Sequence, residues 1–291
     1  MRGPSWHQNS CFLDALAVAL LHTPTATMQQ LLMQARAPTS LPLAAELLAV
    51  QQRLGKDAPH TCQQLRAALR PVLVGRGYED PADGGARDAL EVLKAVLGHL
   101  RCPDVLWATH TAEIWQRQRW LRRQQPQTAR HGAVWTVQLP TAARTLAGTL
   151  RQVTEQHVAG RLAAEDVAEM AALHGDAAVV EATYTCRRDE RSLQAVEGDL
   201  LLLELERLYL GAQGQQKRSL AAFAPDELRV GGALFAPISL LCHAHHHYTC
   251  LVRRNGAWWL YDDRCPRLGQ VSCLKPLLPQ VVLFVYKKVL P

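Results

Sequence analysis

The spacing of apolar positions divides the chain into a helical first third and a β-rich last third. Apolar residues recur at helical intervals over Phe12–His22, Leu43–Leu54, Cys62–Val74 and Asp88–Leu100, which predicts four helices. The first of these is apolar on nearly every face, so its helix is expected to be buried. Between the last two, Gly75–Ala86 has the Gly, Pro and Asp content of a loop. Beyond residue 178 the period shortens to β-type runs at Val179–Cys186, Asp199–Tyr209, Ala233–Cys242, Tyr248–Arg253, Trp258–Tyr261 and Val281–Lys287. The stretch 101–185 is mixed, with a strand expected at Ala133–Leu139 and helices near Thr141–Gln156 and Ala163–Leu173. Helices first and strands later predict an α+β fold with an antiparallel sheet. No internal repeat and no low-complexity tract interrupts the pattern.

Composition narrows the class. With 291 residues, 48% of them hydrophobic, the chain can bury the core of one large domain. No run of 18 or more uncharged apolar residues occurs, so no membrane span or membrane partner is expected. Eight cysteines are scattered without a CxxC pair, and no secretory leader is read at the N-terminus. They are expected to be free thiols in a reducing, intracellular compartment, cytoplasm or nucleus. The net charge of +6 is modest, and its densest basic piece is Trp115–Arg123. Interleaved Trp and Arg could stack on bases and neutralise phosphates. A solvated helix face with the two tryptophans turned inward explains the run more economically, so no nucleic-acid partner is expected.

Candidate chemistry lies at the two ends of the chain. Cys11 precedes the apolar run, at the start of a helix that Asn9 or Ser10 can cap. A thiol there feels the positive end of the helix dipole, which favours thiolate, and the neighbouring amides can receive a developing oxyanion. At the other end, two β-rich runs flank Asn255-Gly256, the strongest short hairpin signal. A two-residue type I′ turn sets Arg254 opposite Ala257 and Thr249 opposite Asp262. His247 and Asp262 then become diagonal neighbours on one face, while Asp263 points to the other. An imidazole oriented by a carboxylate beside a thiol on a separate element is the geometry of a Cys-His-Asp triad. The cluster His243, His245, His246 and His247, with Cys242 and Cys250 nearby, also suggests a zinc site. Sequence neighbours on a strand face opposite ways and no second ligand group has conventional spacing, so no metal is expected.

These segments resemble the ubiquitin-specific protease family. Asn9-Ser-Cys11-Phe-Leu-Asp is similar to that family's cysteine box, especially the version in the cylindromatosis deubiquitinase. His247-Tyr-Thr followed by Trp258-Trp-Leu-Tyr-Asp262-Asp263 resembles the histidine box, and Asp88-Ala-Leu-Glu91 resembles the family's Q-D-A-x-E segment with Arg87 for glutamine. Leu201–Tyr209, Phe223–Leu228 and Ala236–His243 are similar to the strands that precede the histidine box, while 101–180 matches poorly. The resemblance implies a papain-like fold with a helical thumb (about 1–110), a reduced fingers-like middle (about 111–200) and a β palm (about 201–291). It further implies a deubiquitinating thiol isopeptidase, partnered by ubiquitin or ubiquitinated proteins and needing no cofactor. The triad would be Cys11, His247 and Asp262, with Asn9 and Gln8 at the oxyanion and Asp88, Glu91, His246 and Tyr248 along the substrate cleft. Further departures from the family are Trp6 at a frequent oxyanion asparagine, His246 at a usual glycine, and the missing paired zinc cysteines of the fingers. A catalytically weak ubiquitin-binding module that kept the fold, and a papain-type protease for another modifier, are the competing readings.

Overall fold

Every residue from Cys11 to Leu21 is buried, Asp14 included, and together they form helix α1. An all-round apolar helix has no face to give to water, and the rest of the chain is built around it. The computed structural model describes residues 3–4, 10–33, 42–54, 56, 60–77, 88–115, 119–123, 127–138, 144–156, 160–161, 183–184, 186–206, 208–211, 214–217 and 222–290. Four more helices follow: α2 (Ala26–Met33), α3 (Pro42–Leu54), α4 (Gln63–Val74) and α5 (Ala89–His99). Helices α3 and α5 pack directly on α1, and α2 and α4 pack on α3. α2 is absent from the sequence reading, because its two turns are too short for a helical period to register. It is held by a distant acid: the Asp199 carboxylate accepts from the Ala26 amide at 2.6 Å and from the Thr27 amide at 2.8 Å.

The remaining elements are β1 (Val105–Trp115), β2 (Arg119–Arg123), β3 (Gln127–His131), β4 (Val134–Gln138), the short helix α6 (Leu146–Thr149), β5 (Arg151–Gln156), β6 (Gly160–Arg161), β7 (Thr183–Tyr184), β8 (Cys186–Val196), β9 (Leu200–Glu206), β10 (Leu208–Gly211), β11 (Gly214–Lys217), β12 (Leu228–Val230), β13 (Ala233–Ala244), β14 (His247–Arg254), β15 (Ala257–Asp262), β16 (Cys265–Val271) and β17 (Val281–Lys288). The large sheet has the order β16-β15-β14-β13-β17-β9-β4, with β12 also on β13. Its neighbours are antiparallel except β4 and β9, which run parallel. A second sheet has the order β2-β1-β8-β5, with β3 on β1.

The central strands read as continuous apolar runs because both faces of the large sheet are covered. Leu202, Leu241, Cys250, Val252, Leu283 and Val285 face α1 and its neighbouring helices. Trp135, Leu203, Phe235, Leu240, Phe284 and Tyr286 fill the opposite side. Burying the large apolar side chains of α1 alone contributes on the order of 10 kcal/mol of transfer free energy, an upper figure. That is enough to carry one buried carboxylate at Asp14. Ser239 on β13 donates to the Ala19 carbonyl at 2.5 Å, which ties the helix to the sheet. Lys94 on α5 reaches Glu204 on β9 at 2.7 Å, and Thr136 on β4 donates to the same carboxylate at 2.6 Å.

Two expectations are corrected. Among the described residues of Thr141–Gln156 only Leu146–Thr149 is helical, and from Arg151 the chain pairs with β8. Cross-strand pairing to residues 31 to 41 positions on overrides the local helical spacing. The basic run Trp115–Arg123 is likewise no helix: Trp115 ends β1 and pairs with Arg119 of β2. The helix expected at Ala163–Leu173, most of Val179–Cys186 and the loop beyond Gly77 lie outside the described residues. Among the described residues no single helix is long and apolar enough to cross a membrane.

Candidate active site

Asn255 and Gly256 have φ values of 50° and 77°, the left-handed pair that a type I′ turn needs. The turn sets the register: Arg254 lies opposite Ala257 and Cys250 opposite Tyr261. His247 and Asp262 meet as that register requires, with His247 Nε2 2.9 Å from Asp262 Oδ1. The Arg264 amide donates to the same oxygen at 3.0 Å. Burial raises the Asp262 carboxyl, but the Arg264 amide and His247 outweigh it and hold the group below the usual aspartate range. An ionised Asp262 can only accept, so Nε2 carries the proton and Nδ1 is left as the basic nitrogen.

Asp263 does not point away as the simple alternation predicts. β15 ends at Asp262, and the following turn brings Asp263 Oδ1 to 3.7 Å from His247 Nε2. Its side chain is only 1% exposed. Burial pushes its pKa up to about 6, His247 pulls it down and Asp262 pushes it up. The two carboxylates therefore compete for one imidazole.

Cys11 opens α1 and is 8% exposed. Its sulfur accepts from the backbone amide of Tyr248, the residue after His247 on β14, and from that of Phe12. The nucleophile candidate is thus held against the strand that carries the base candidate. Burial raises the thiol pKa, those two amides lower it, and Asp263 and Asp14 raise it further. The helix start does not win here: dehydration of the sulfur outweighs the local dipole, so the resting group is a thiol.

Ser10 occupies the N-cap position without a side-chain capping bond. Its hydroxyl donates instead to Asp14, one turn into the helix. The Cys62 thiol also bonds Asp14, and the Arg66 guanidinium stands 5.6 Å over the Phe12 ring and near the same acid. Burial pushes Asp14 up to about 7 against the pull of Ser10 and Cys62. A charge inside an apolar helix is visible in the sequence and marks this group, although its polar neighbours are not.

Of the cleft candidates, Asp88 is the N-cap of α5 and accepts from the Leu90 amide at 2.8 Å. Tyr248 is buried and stacks on His243 at 4.4 Å; its hydroxyl donates to Asp88 and accepts from the Ala89 amide, both at 3.4 Å. This bridge fixes α5 against β14 beside Cys11. Glu91 lies exposed in the first turn of α5. His245 and His246 form the β13–β14 turn with φ values of 50° and 60°. A β-carbon at each such position costs roughly 1 kcal/mol. His246→Gly is therefore expected to raise stability by about 0.5–1 kcal/mol, read as an upward shift in urea midpoint at unchanged slope. Asn9, Gln8 and Trp6 lie outside the described residues.

No protein-family model matches this sequence, and no curated protein matches it. Solved structures do. A chain of the SAGA deubiquitinase module Ubp8/Sgf11/Sus1/Sgf73 bound to monoubiquitin superposes over 100% of this chain and 69% of its own, at 11% identity and a TM-score of 0.67. The same module bound to ubiquitin aldehyde gives 11% identity, coverage of 100% and 70%, and a TM-score of 0.67. The chain shares the α+β papain-like fold of these deubiquitinase-module chains.

Proposed function

We propose that the protein is a deubiquitinating thiol isopeptidase that cleaves after the C-terminal Gly-Gly of ubiquitin. The observation that carries this reading is the His247–Asp262 pair at 2.9 Å on the strand whose next amide holds the Cys11 sulfur. Likeness of fold to modules captured with ubiquitin supports the choice of modifier. The Cys11 proton moves to His247 Nδ1 as the sulfur attacks the carbonyl of the terminal glycine. The oxyanion that forms is held by amides at the start of α1. Collapse expels the lysine amine, which takes the proton from His247 and leaves a thioester on Cys11. Water, deprotonated by the same imidazole, attacks the thioester; the C–S bond breaks, Cys11 takes the proton back from His247 and the ubiquitin carboxylate is released. No cofactor enters any of these steps.

Steady-state hydrolysis of a fluorogenic amide at the ubiquitin C-terminus tests the reading, with parallel substrates built on other ubiquitin-like modifiers. Ubiquitin is expected to be the preferred substrate and Cys11→Ala to be inactive. Reversible ubiquitin binding without turnover would move the assignment to a pseudo-protease.

The two carboxylates at His247 lead to a second expectation. Asp262→Ala is expected to lower kcat only about tenfold, since Asp263 ionises more readily once its neighbour's charge is gone and takes over Nε2–H. Losing both acids is expected to cost about 10³-fold, well beyond the product of the single effects. A full loss in Asp262→Ala alone would show that Asp263 cannot substitute.

A further inference from the structure

Asp263 is left over from this mechanism. Neither of its carboxylate oxygens accepts a hydrogen bond from any described donor. A buried ionised carboxylate without a donor costs several kcal/mol, so such a group calls for a partner. What it faces are His247 and Asp262. The Asp263 and Asp262 oxygens lie 3.7 and 2.9 Å from His247 Nε2, and one ligand atom from each of the three residues lies within 4.8 Å of the others.

One imidazole nitrogen and two carboxylate oxygens make up a transition-metal donor set. Zinc binds such atoms tetrahedrally at about 2.0–2.2 Å, which puts ligand atoms about 3.3 Å apart. The observed edges of 2.9 and 3.7 Å fall on either side of that spacing. Magnesium and calcium take oxygen shells, so the imidazole selects against them. A 2+ charge would also cancel the repulsion between the two adjacent carboxylates.

We propose that His247, Asp262 and Asp263 form an inhibitory site for a divalent cation of the zinc class. The inhibitory part rests on His247 being the base of the proposed reaction. A cation at Nε2 takes that nitrogen's lone pair, so the neutral imidazole carries its one proton on Nδ1. Nδ1 then no longer accepts the Cys11 proton, so bound metal and catalysis exclude each other.

The test is calorimetric titration of zinc chloride into the Cys11→Ala protein, which removes the thiol as a competing ligand. A single site is expected, weakened at least about tenfold by the added Asp263→Asn change, with no matching heat from magnesium. Circular dichroism verifies folding, and Asp262→Asn gives the same readout if Asp263→Asn unfolds. Equal zinc affinity with and without Asp263, or an equal response to magnesium, overturns the site. For inhibition, zinc is expected to slow reaction of the wild type with a ubiquitin carrying a thiol-reactive C-terminus. Chelation should restore the rate, and Asp263→Asn should need at least about tenfold more zinc. Zinc binding without any ubiquitin reaction would defeat the proposed activity and leave the metal site standing. A ubiquitin reaction indifferent to zinc would defeat the inhibition alone.

Discussion

His247→Ala is expected to lower kcat/KM against a ubiquitin C-terminal amide by about 10⁴-fold or more, close to the loss in Cys11→Ala. The size follows from the state of the sulfur. Burial, aided by Asp263 and Asp14, holds Cys11 above its ordinary range, and the two amides that point at it do not reverse the shift. Few molecules carry a thiolate at neutral pH, so the reaction depends on a base that removes the proton as the bond forms. A cysteine that was already thiolate would tolerate loss of its histidine far better. Cys11→Ala and His247→Ala should not multiply, because the two side chains act as one unit and the double variant should match either single one. Steady-state kinetics on all three proteins decide this, and a His247→Ala loss under tenfold would contradict it.

The second large effect is on stability and runs through Asp14. The folded group keeps its proton to about pH 7, whereas the unfolded group releases it near the ordinary aspartate value of 3.8. Between those values the folded state binds more protons, so stability falls as pH rises through this window. The loss attributable to Asp14 is on the order of 3–4 kcal/mol between pH 4 and pH 8. Asp263, raised to about 6, adds a loss of the same sign over a narrower range. Asp14→Asn keeps an acceptor for Ser10 and Cys62 but cannot ionise. Its unfolding free energy should change less with pH, and at pH 8 it should exceed that of the wild type. Urea denaturation of both proteins at pH 5 and pH 8 measures this, and parallel changes in the two would exclude Asp14 as the source.

The legible parts of this molecule are those that local chemistry decides. Asn255-Gly256 specifies a turn, the turn specifies a register, and the register brings His247 onto Asp262 across fifteen residues of chain. The continuous apolar run from Phe12 likewise requires a buried helix, and Cys11 stands at its start. Long-range pairing was less accessible. Arg151–Gln156 continues the local spacing of a helix and becomes a strand because β8 lies beside it. Trp115–Arg123 reads as a helix face until β1 finds β2 and β8. Asp263 was misplaced because strand alternation was carried one residue past the end of β15, into a turn that reverses the side chain. The raised Cys11 thiol depends on how much protein covers the sulfur, which helix position alone does not reveal.

The most direct measurement is to incubate the protein with ubiquitin bearing a thiol-reactive group in place of its terminal carboxylate, beside Cys11→Ala and His247→Ala, and to map any adduct by mass spectrometry. The account predicts one covalent ubiquitin on Cys11 of the wild type, none on Cys11→Ala and a strongly slowed reaction with His247→Ala. An adduct on any other cysteine, or no adduct and no binding, would contradict it.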